Sequence, residues 1–147
     1  MADGVASIVV LTMPARAEYL VLSRLMLTGL AEARPFDAET LADLKLAVTE
    51  ACSNSVRHAY GEEEVGTFSV SYEIDTEKLT IEVLDDGSGF DFEPRLNELL
   101  ATPGGDLREE EMGLAIVHVL TDELEVGPGT GGRGTRTRFR KWLASAP

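Results

Sequence analysis

Three polar residues on one stretch of the chain have the types and spacing that chemistry requires. Glu50, Asn54 and His58 recur at four-residue steps within residues 49–60, so in a helix they stack along one side. A helix needs only generic polar residues on a wet face, and Asn is a mediocre helix former. A nucleotide-bound Mg²⁺ takes mainly phosphate and water oxygens plus one or two from protein, which the amide oxygen of Asn54 would satisfy. One turn earlier, the Glu50 carboxylate could order or deprotonate a hydroxyl attacking a terminal phosphate. The same row also suits a plain solvated face, and this stretch alone does not separate the two.

A second group lies downstream, in Asp85-x-Gly87-x-Gly89-Phe90 at the end of an alternating strand. Its plain reading is a strand-to-loop turn in which glycine supplies a positive φ. Its functional reading is that the glycines let backbone approach a flat ligand while Asp85 accepts a hydrogen bond from an exocyclic amine. Adenine carries such an amine, and a pocket built to bond it rejects the carbonyl of guanine. No Gly-Lys-Ser/Thr follows, so this is not a P-loop, and the pattern is too short and lacks the βαβ setting of a dinucleotide fingerprint. Phosphate must be held elsewhere. The helix expected to begin near Gly113 offers first-turn N–H groups and a favourable dipole.

The elements that must position these residues follow from periodicity. Residues 7–12 form a β-branched strand closed by Pro14, and residues 15–33 a helix closed by Pro35. Asp37 is an N-cap for a helix in which Leu41, Leu44, Val48, Cys52, Val56 and Ala59 mark the core face. Glu50, Asn54 and Arg57 are expected nearly opposite that face. Phe68, Val70, Tyr72 and Ile74 alternate with polar residues, as do Leu79, Ile81 and Val83 after a turn at 75–78, which predicts an antiparallel hairpin. Residues 91–111 form a long polar connection, with one possible helical turn at 96–100, and a length of that kind marks a functional lid or disorder. A helix at 112–120, a short strand at 124–126, a glycine-rich turn and a strand at 135–143 complete the chain. The expected fold is a two-layer α/β sandwich, a mixed and mostly antiparallel sheet with helices on one face, in one domain spanning residues 1–147.

Composition narrows the function. The formal net charge of -13 argues against direct binding of nucleic acid, which needs clustered Lys and Arg. Residues 133–141 hold five of the thirteen basic side chains, read here as a solvated strand face with charge balance. The single cysteine, Cys52, excludes a disulfide framework and a Cys-based metal cluster, and is read as a small core residue. No apolar run approaches the roughly 20 residues of a membrane span. Residues 1–13 lack a charged leader and a cleavage site, so the expected location is the cytoplasm. His118, amid Val117, Val119 and Leu120, is expected to be a partly buried structural histidine, and Trp142 to lie in the core or an interface.

Four segments taken together resemble a known family. Glu50-x-x-x-Asn54-x-x-x-His58-Ala59 looks like the N box of the gyrase, histidine-kinase and MutL ATPase superfamily, and Asp85-x-Gly87-x-Gly89-Phe90 resembles its first glycine box. Met112-Gly113-Leu114-Ala115-Ile116-Val117 is similar to the second glycine box, and Gly134-Thr135-Arg136-Thr137-Arg138-Phe139 to the last Gly-Thr strand. Each is weak singly. In this order, with a lid at about residues 91–112 between the glycine boxes, they are specific. Within the superfamily the chain most resembles the short bacterial anti-sigma factor serine/threonine kinases. The resemblance implies the Bergerat ATP-binding fold, ATP and Mg²⁺ as ligands, Asn54 on the metal and Glu50 as catalytic base. It implies that Asp85 reads adenine with the support of Thr135, and that Gly87, Gly89 and Gly113 line the nucleotide, with Leu114 beside them; His58 either contributes at the mouth of that pocket or simply finishes its helix. It also implies a homodimer that binds a sigma factor and phosphorylates an antagonist (anti-anti-sigma) protein on serine or threonine.

One departure stands out. Where the second glycine box usually has a further glycine two residues before Gly113, this chain has Glu111, within Glu109-Glu110-Glu111. Three carboxylates beside a triphosphate would repel it unless the lid turns them outward, with Arg95 and Arg108 as the lid's cations. That feature favours a rival reading, a non-catalytic module in which ATP tunes a protein interface. The other rival is a detached histidine-kinase catalytic domain, but neither histidine lies in a helical dimerisation segment of the kind that precedes such domains.

Overall fold

The computed structural model describes residues 7–58, 66–86 and 109–143, without the side chains of His58, Glu109 and Glu110. Five strands form one sheet in the order β1-β2-β3-β5-β4. They are β1 (Ser7–Pro14), β2 (Thr67–Ile74), β3 (Lys78–Asp85), β4 (Glu123–Pro128) and β5 (Thr135–Trp142). Three α-helices pack on the sheet: α1 (Leu20–Ala33), which follows a 3-10 turn at Ala17–Tyr19, α2 (Ala38–His58) and α3 (Glu109–Leu120). Every pairing among these strands is antiparallel, the limiting case of the mostly antiparallel sheet expected.

The alternation read from β2 sorts its two faces as expected. Phe68, Val70, Tyr72 and Ile74 are buried toward the helices with Val83, Ile81 and Leu79 from β3 and Phe139 from β5. The hairpin between β2 and β3 closes on Asp75, whose carboxylate accepts backbone N–H bonds from Glu77 and Lys78 at 2.8 and 2.9 Å. Both bonds hold the Asp75 carboxyl below its ordinary range. The opposite sheet face carries charge. Arg140 pairs with Glu123 at 2.7 Å and Arg138 lies 3.9 Å from Glu82, which balances two of the five basic side chains of residues 133–141 on the strand face.

α2 starts where its capping chemistry places it. The Asp37 carboxylate accepts the N–H of Thr40 at 2.7 Å, satisfying a first-turn donor. From there Leu44, Ala47, Val48, Ala51 and Cys52 are wholly buried. Burial pushes the Cys52 thiol up to about 12, as suits a core residue with no reactive role. α1 is fixed over β2 by a buried bond from the Tyr72 hydroxyl to the Ser23 carbonyl, 2.8 Å long.

Three sequence expectations change. His118 is exposed rather than partly buried, because the buried side of α3 is formed by Glu111, Gly113, Leu114 and Val117. Of the two places expected for Trp142 the core is ruled out, since it is 49% exposed with its ring 5.2 Å from the Lys78 ammonium. And α3 begins at Glu109, so residues 109–112 of the expected lid are helix. Residues 91–108, with Arg95, Arg108 and the turn considered at 96–100, lie outside the described residues. No helix among the described residues is long and apolar enough to cross a membrane.

Candidate active site

Four elements converge at one end of the sheet: the C-terminal half of α2, the end of β3, α3 and the start of β5. Asp85 closes β3, and its carboxylate is 3% exposed. It accepts the Ser55 hydroxyl from α2 on Oδ2 at 2.9 Å and the Thr135 backbone N–H from β5 on Oδ1 at 3.2 Å. The close approach of β5 depends on Gly134, whose φ is +69°. A Cβ there would overlap the Asp85 carbonyl oxygen and sit 2.9 Å from the Asp86 Cα. Both the left-handed backbone and the contact demand glycine. The Gly-Thr pair is thus what brings the N–H of Thr135 to the carboxylate.

Asn54 lies beside this group. It is 3% exposed, and neither its Oδ1 nor its Nδ2 has a hydrogen-bond partner among the described residues. The hydroxyl oxygen of Thr135 is buried and unpartnered in the same way. Buried polar groups are paired in the great majority of cases, since an unmet one costs about 1–3 kcal/mol. Two such side chains, Asn54 against Gly113 and Thr135 bonded through its N–H to Asp85, mark places prepared for something polar.

The burial of Asn54 corrects the placement of the polar row opposite the core. Asn54 sits on the flank of α2 that α3 covers, and Gly113 is the residue of closest approach. A Cβ at 113 would stand 3.0 Å from Glu50 Oε2 and 3.5 Å from Asn54 Oδ1. Gly113 therefore provides clearance for two candidate site residues. It is not the first residue of its helix: four residues of α3 precede it, so its N–H falls within the regular i→i−4 pattern. The first-turn anion site expected at Gly113 moves to residues 109–111, where the chain places three carboxylates of its own. Glu111 is turned inward and wholly buried, neither facing solvent nor carried on an outward-turned lid. A carboxylate is favourable in the first turn of a helix for the reason a phosphate would be.

The structure brings Glu50 and Asn54 to Gly113, and Thr135 to Asp85, with α2 contributing a residue to each group. Glu50 keeps partial exposure, so its carboxylate remains reachable from solvent. Leu114 is 1% exposed and packs below Gly113 as a buried side chain of α3. His58 ends α2, its side chain outside the described atoms, and Gly87 and Gly89 lie outside the described residues. Ser55 went unread in the sequence. Its only signal there is position: one residue beyond Asn54, it points about 100° further round the helix, toward the sheet.

Comparisons with known proteins agree on one description. The sequence profile of the histidine kinase-like ATPase domain matches residues 13–141. The chain is 38% identical over 122 residues to the serine-protein kinase RsbW of Listeria innocua, covering 80% of this chain and 78% of that one. It is 33% identical over 138 residues to the serine-protein kinase RsbW of Bacillus subtilis, covering 91% and 86%. Among solved structures it is similar to the RsbU and RsbW domains of a Mycobacterium tuberculosis protein, with a TM-score of 0.67 at 20% identity over 95% of this chain and 34% of that one. The histidine kinase domain of a blue-light activated kinase from Erythrobacter litoralis matches with a TM-score of 0.54 at 23% identity, over 89% and 62% of the two chains.

Proposed function

The chain belongs to the histidine kinase-like ATPase domain family, among the relatives of the RsbW serine-protein kinases, and on that premise we propose that it is an ATP-dependent serine/threonine protein kinase that also acts as an anti-sigma factor. It works in the cytoplasm as a homodimer, sequesters a sigma factor, and transfers the γ-phosphoryl group of ATP to a serine or threonine of the antagonist protein that competes for it. The observation that carries this reading is Asn54: a buried amide with both polar atoms unpartnered among the described residues, one helical turn from Glu50 and set against Gly113.

Each residue then has a task. Asp85 accepts the exocyclic amine of adenine, and the hydroxyl of Thr135, otherwise unpartnered, supports that contact. Gly87, Gly89, Leu114 and His58 complete the walls around the nucleotide, in the single domain of residues 1–147 with its lid ending before α3, at about 91–108. Glu50 holds the acceptor hydroxyl in line and takes its proton as the oxygen–phosphorus bond forms. Most of the catalysis is positioning, since the transferred group demands little covalent chemistry from protein. Mg²⁺ fits the donor set, because the Asn54 amide oxygen is a hard ligand with no competing bond from the described residues. When bound, the ion supplies charge neutralisation at the phosphates.

A direct test is incubation with γ-labelled ATP, Mg²⁺ and the candidate antagonist protein, with phosphoserine or phosphothreonine as the readout. Transfer is expected. ATP binding without transfer would favour the second reading, an ATP-modulated binding module, which draws on the buried Glu111 carboxylate at the same end of α3.

Asn54→Ala tests the metal role. We expect Mg²⁺-ATP affinity to fall by about tenfold or more, the equivalent of one lost contact worth about 1.4 kcal/mol. Metal-free nucleotide should bind nearly as before. Equal weakening of both, measured by calorimetry, would remove Asn54 from the metal. Thermal stability should change little, because the amide makes no hydrogen bond to the described residues that the fold would lose.

A further inference from the structure

We infer that Ser55 is a positioning residue for adenine recognition, an assignment that rests on the reading of Asp85 proposed above. A serine inside a helix has an easy local partner, the carbonyl three or four residues back. Other hydroxyls of this protein take it: Ser23 donates to Leu20, Thr49 to Lys45 and Thr121 to Val117. Ser55 does not. Its hydroxyl donates across 30 residues of sequence to Asp85 Oδ2 at 2.9 Å, and both side chains are buried.

The consequence lies in the orientation of the carboxylate. The last torsion of an Asp side chain is broad and roughly two-fold, so a carboxylate at a strand end turns easily unless something stops it. Here the two oxygens are held from different elements, Oδ2 by Ser55 of α2 and Oδ1 by the Thr135 N–H of β5. Two donors on two oxygens fix the plane of the group before a ligand arrives. Lone pairs pre-aimed at an incoming amine avoid the ordering cost that a free carboxylate would meet on binding. Ser55 never touches the base in this account. It acts through Asp85, and so on the 6-amino group alone.

That restriction supplies the test. Calorimetric affinities are measured for ATP and for purine riboside triphosphate, which lacks the 6-amino group, on the wild-type chain, Ser55→Ala and Ser55→Cys. Wild type should prefer ATP clearly. In Ser55→Ala the ATP affinity should fall about two- to tenfold, the ordering cost of one side chain left free before binding, with the analogue unaffected. Ser55→Cys, similar in size but a weaker donor, should fall between, and it keeps the comparison available if the alanine variant does not fold. Equal loss for both nucleotides would make Ser55 a purely structural tie between α2 and β3 and would overturn the inference, as would no loss for either. If wild type itself binds both nucleotides equally, Asp85 does not read the amine. In that case the adenine assignment fails first, and the role of Ser55 falls with it.

Discussion

Asp85→Asn should reduce ATP affinity by about 10- to 150-fold, the equivalent of roughly 1.5–3 kcal/mol for a hydrogen bond to a charged group. The reason lies in the donors around it. The Thr135 N–H points at Oδ1 and the Ser55 hydroxyl at Oδ2, so the carboxylate answers a donor with each oxygen. An amide has only one acceptor oxygen. The N–H of Thr135 cannot reverse, so the Asn oxygen must turn to it and the NH₂ must take the place of Oδ2. Ser55 can then rotate to accept, but the group presented to adenine is a mixed one, and a donor meets the exocyclic amine. Calorimetry on a variant shown to be folded by its melting transition is the measurement. Undiminished nucleotide affinity would sink the adenine assignment.

Glu50→Gln separates binding from chemistry. The side chain is half-buried, with Oε2 in the clearance that Gly113 leaves, and the isosteric amide fits the same space. Nucleotide affinity should therefore stay within about threefold, less than the 1.4 kcal/mol that a tenfold change represents. Phosphate transfer to the antagonist should fall by about 10²- to 10⁴-fold, the usual contribution of a positioned general base. The pattern expected is a fall in kcat with nucleotide binding preserved. A fully active Glu50→Gln would remove Glu50 from the mechanism and leave the acceptor hydroxyl to be ordered by positioning alone. Sequestration of a sigma factor should survive in either case, since it needs no proton transfer.

The elements were legible because their signals are local. The period of two in β2 and β3, the prolines after β1 and α1, and the Asp37 cap each lie within a few residues of what they determine. The errors were of another kind. Gly113 looked like the opening of a helix because the charged residues 109–111 resemble lid rather than helix, yet acidic residues are at home in a first turn. His118 was expected to be partly buried from its apolar neighbours, but which side of α3 faces inward depends on α2, far away in sequence. Ser55 carried no signal beyond its position next to Asn54. A serine among helical residues reads as filler until its partner 30 residues on is placed beside it.

The row of Glu50, Asn54 and His58 shows where sequence stopped and structure took over. By itself the sequence determined that these residues share one helix, that the helix begins at Asp37, and that a glycine-flanked acid ends a strand of a mostly antiparallel sheet. It could not distinguish a solvated stripe from a site, because four-residue spacing is the same for both. Tertiary structure took Asn54 out of the solvated stripe by burying it. α3 lays Gly113, the one residue type without a side chain, against Glu50 and Asn54, and β5 passes Gly134 beneath the end of β3. These close approaches bury an amide and a hydroxyl that have no partner among the described residues, while leaving the Glu50 carboxylate within reach of solvent. Burial of a polar group depends on what covers it, and here the cover comes from residues 60 to 80 positions further along the chain.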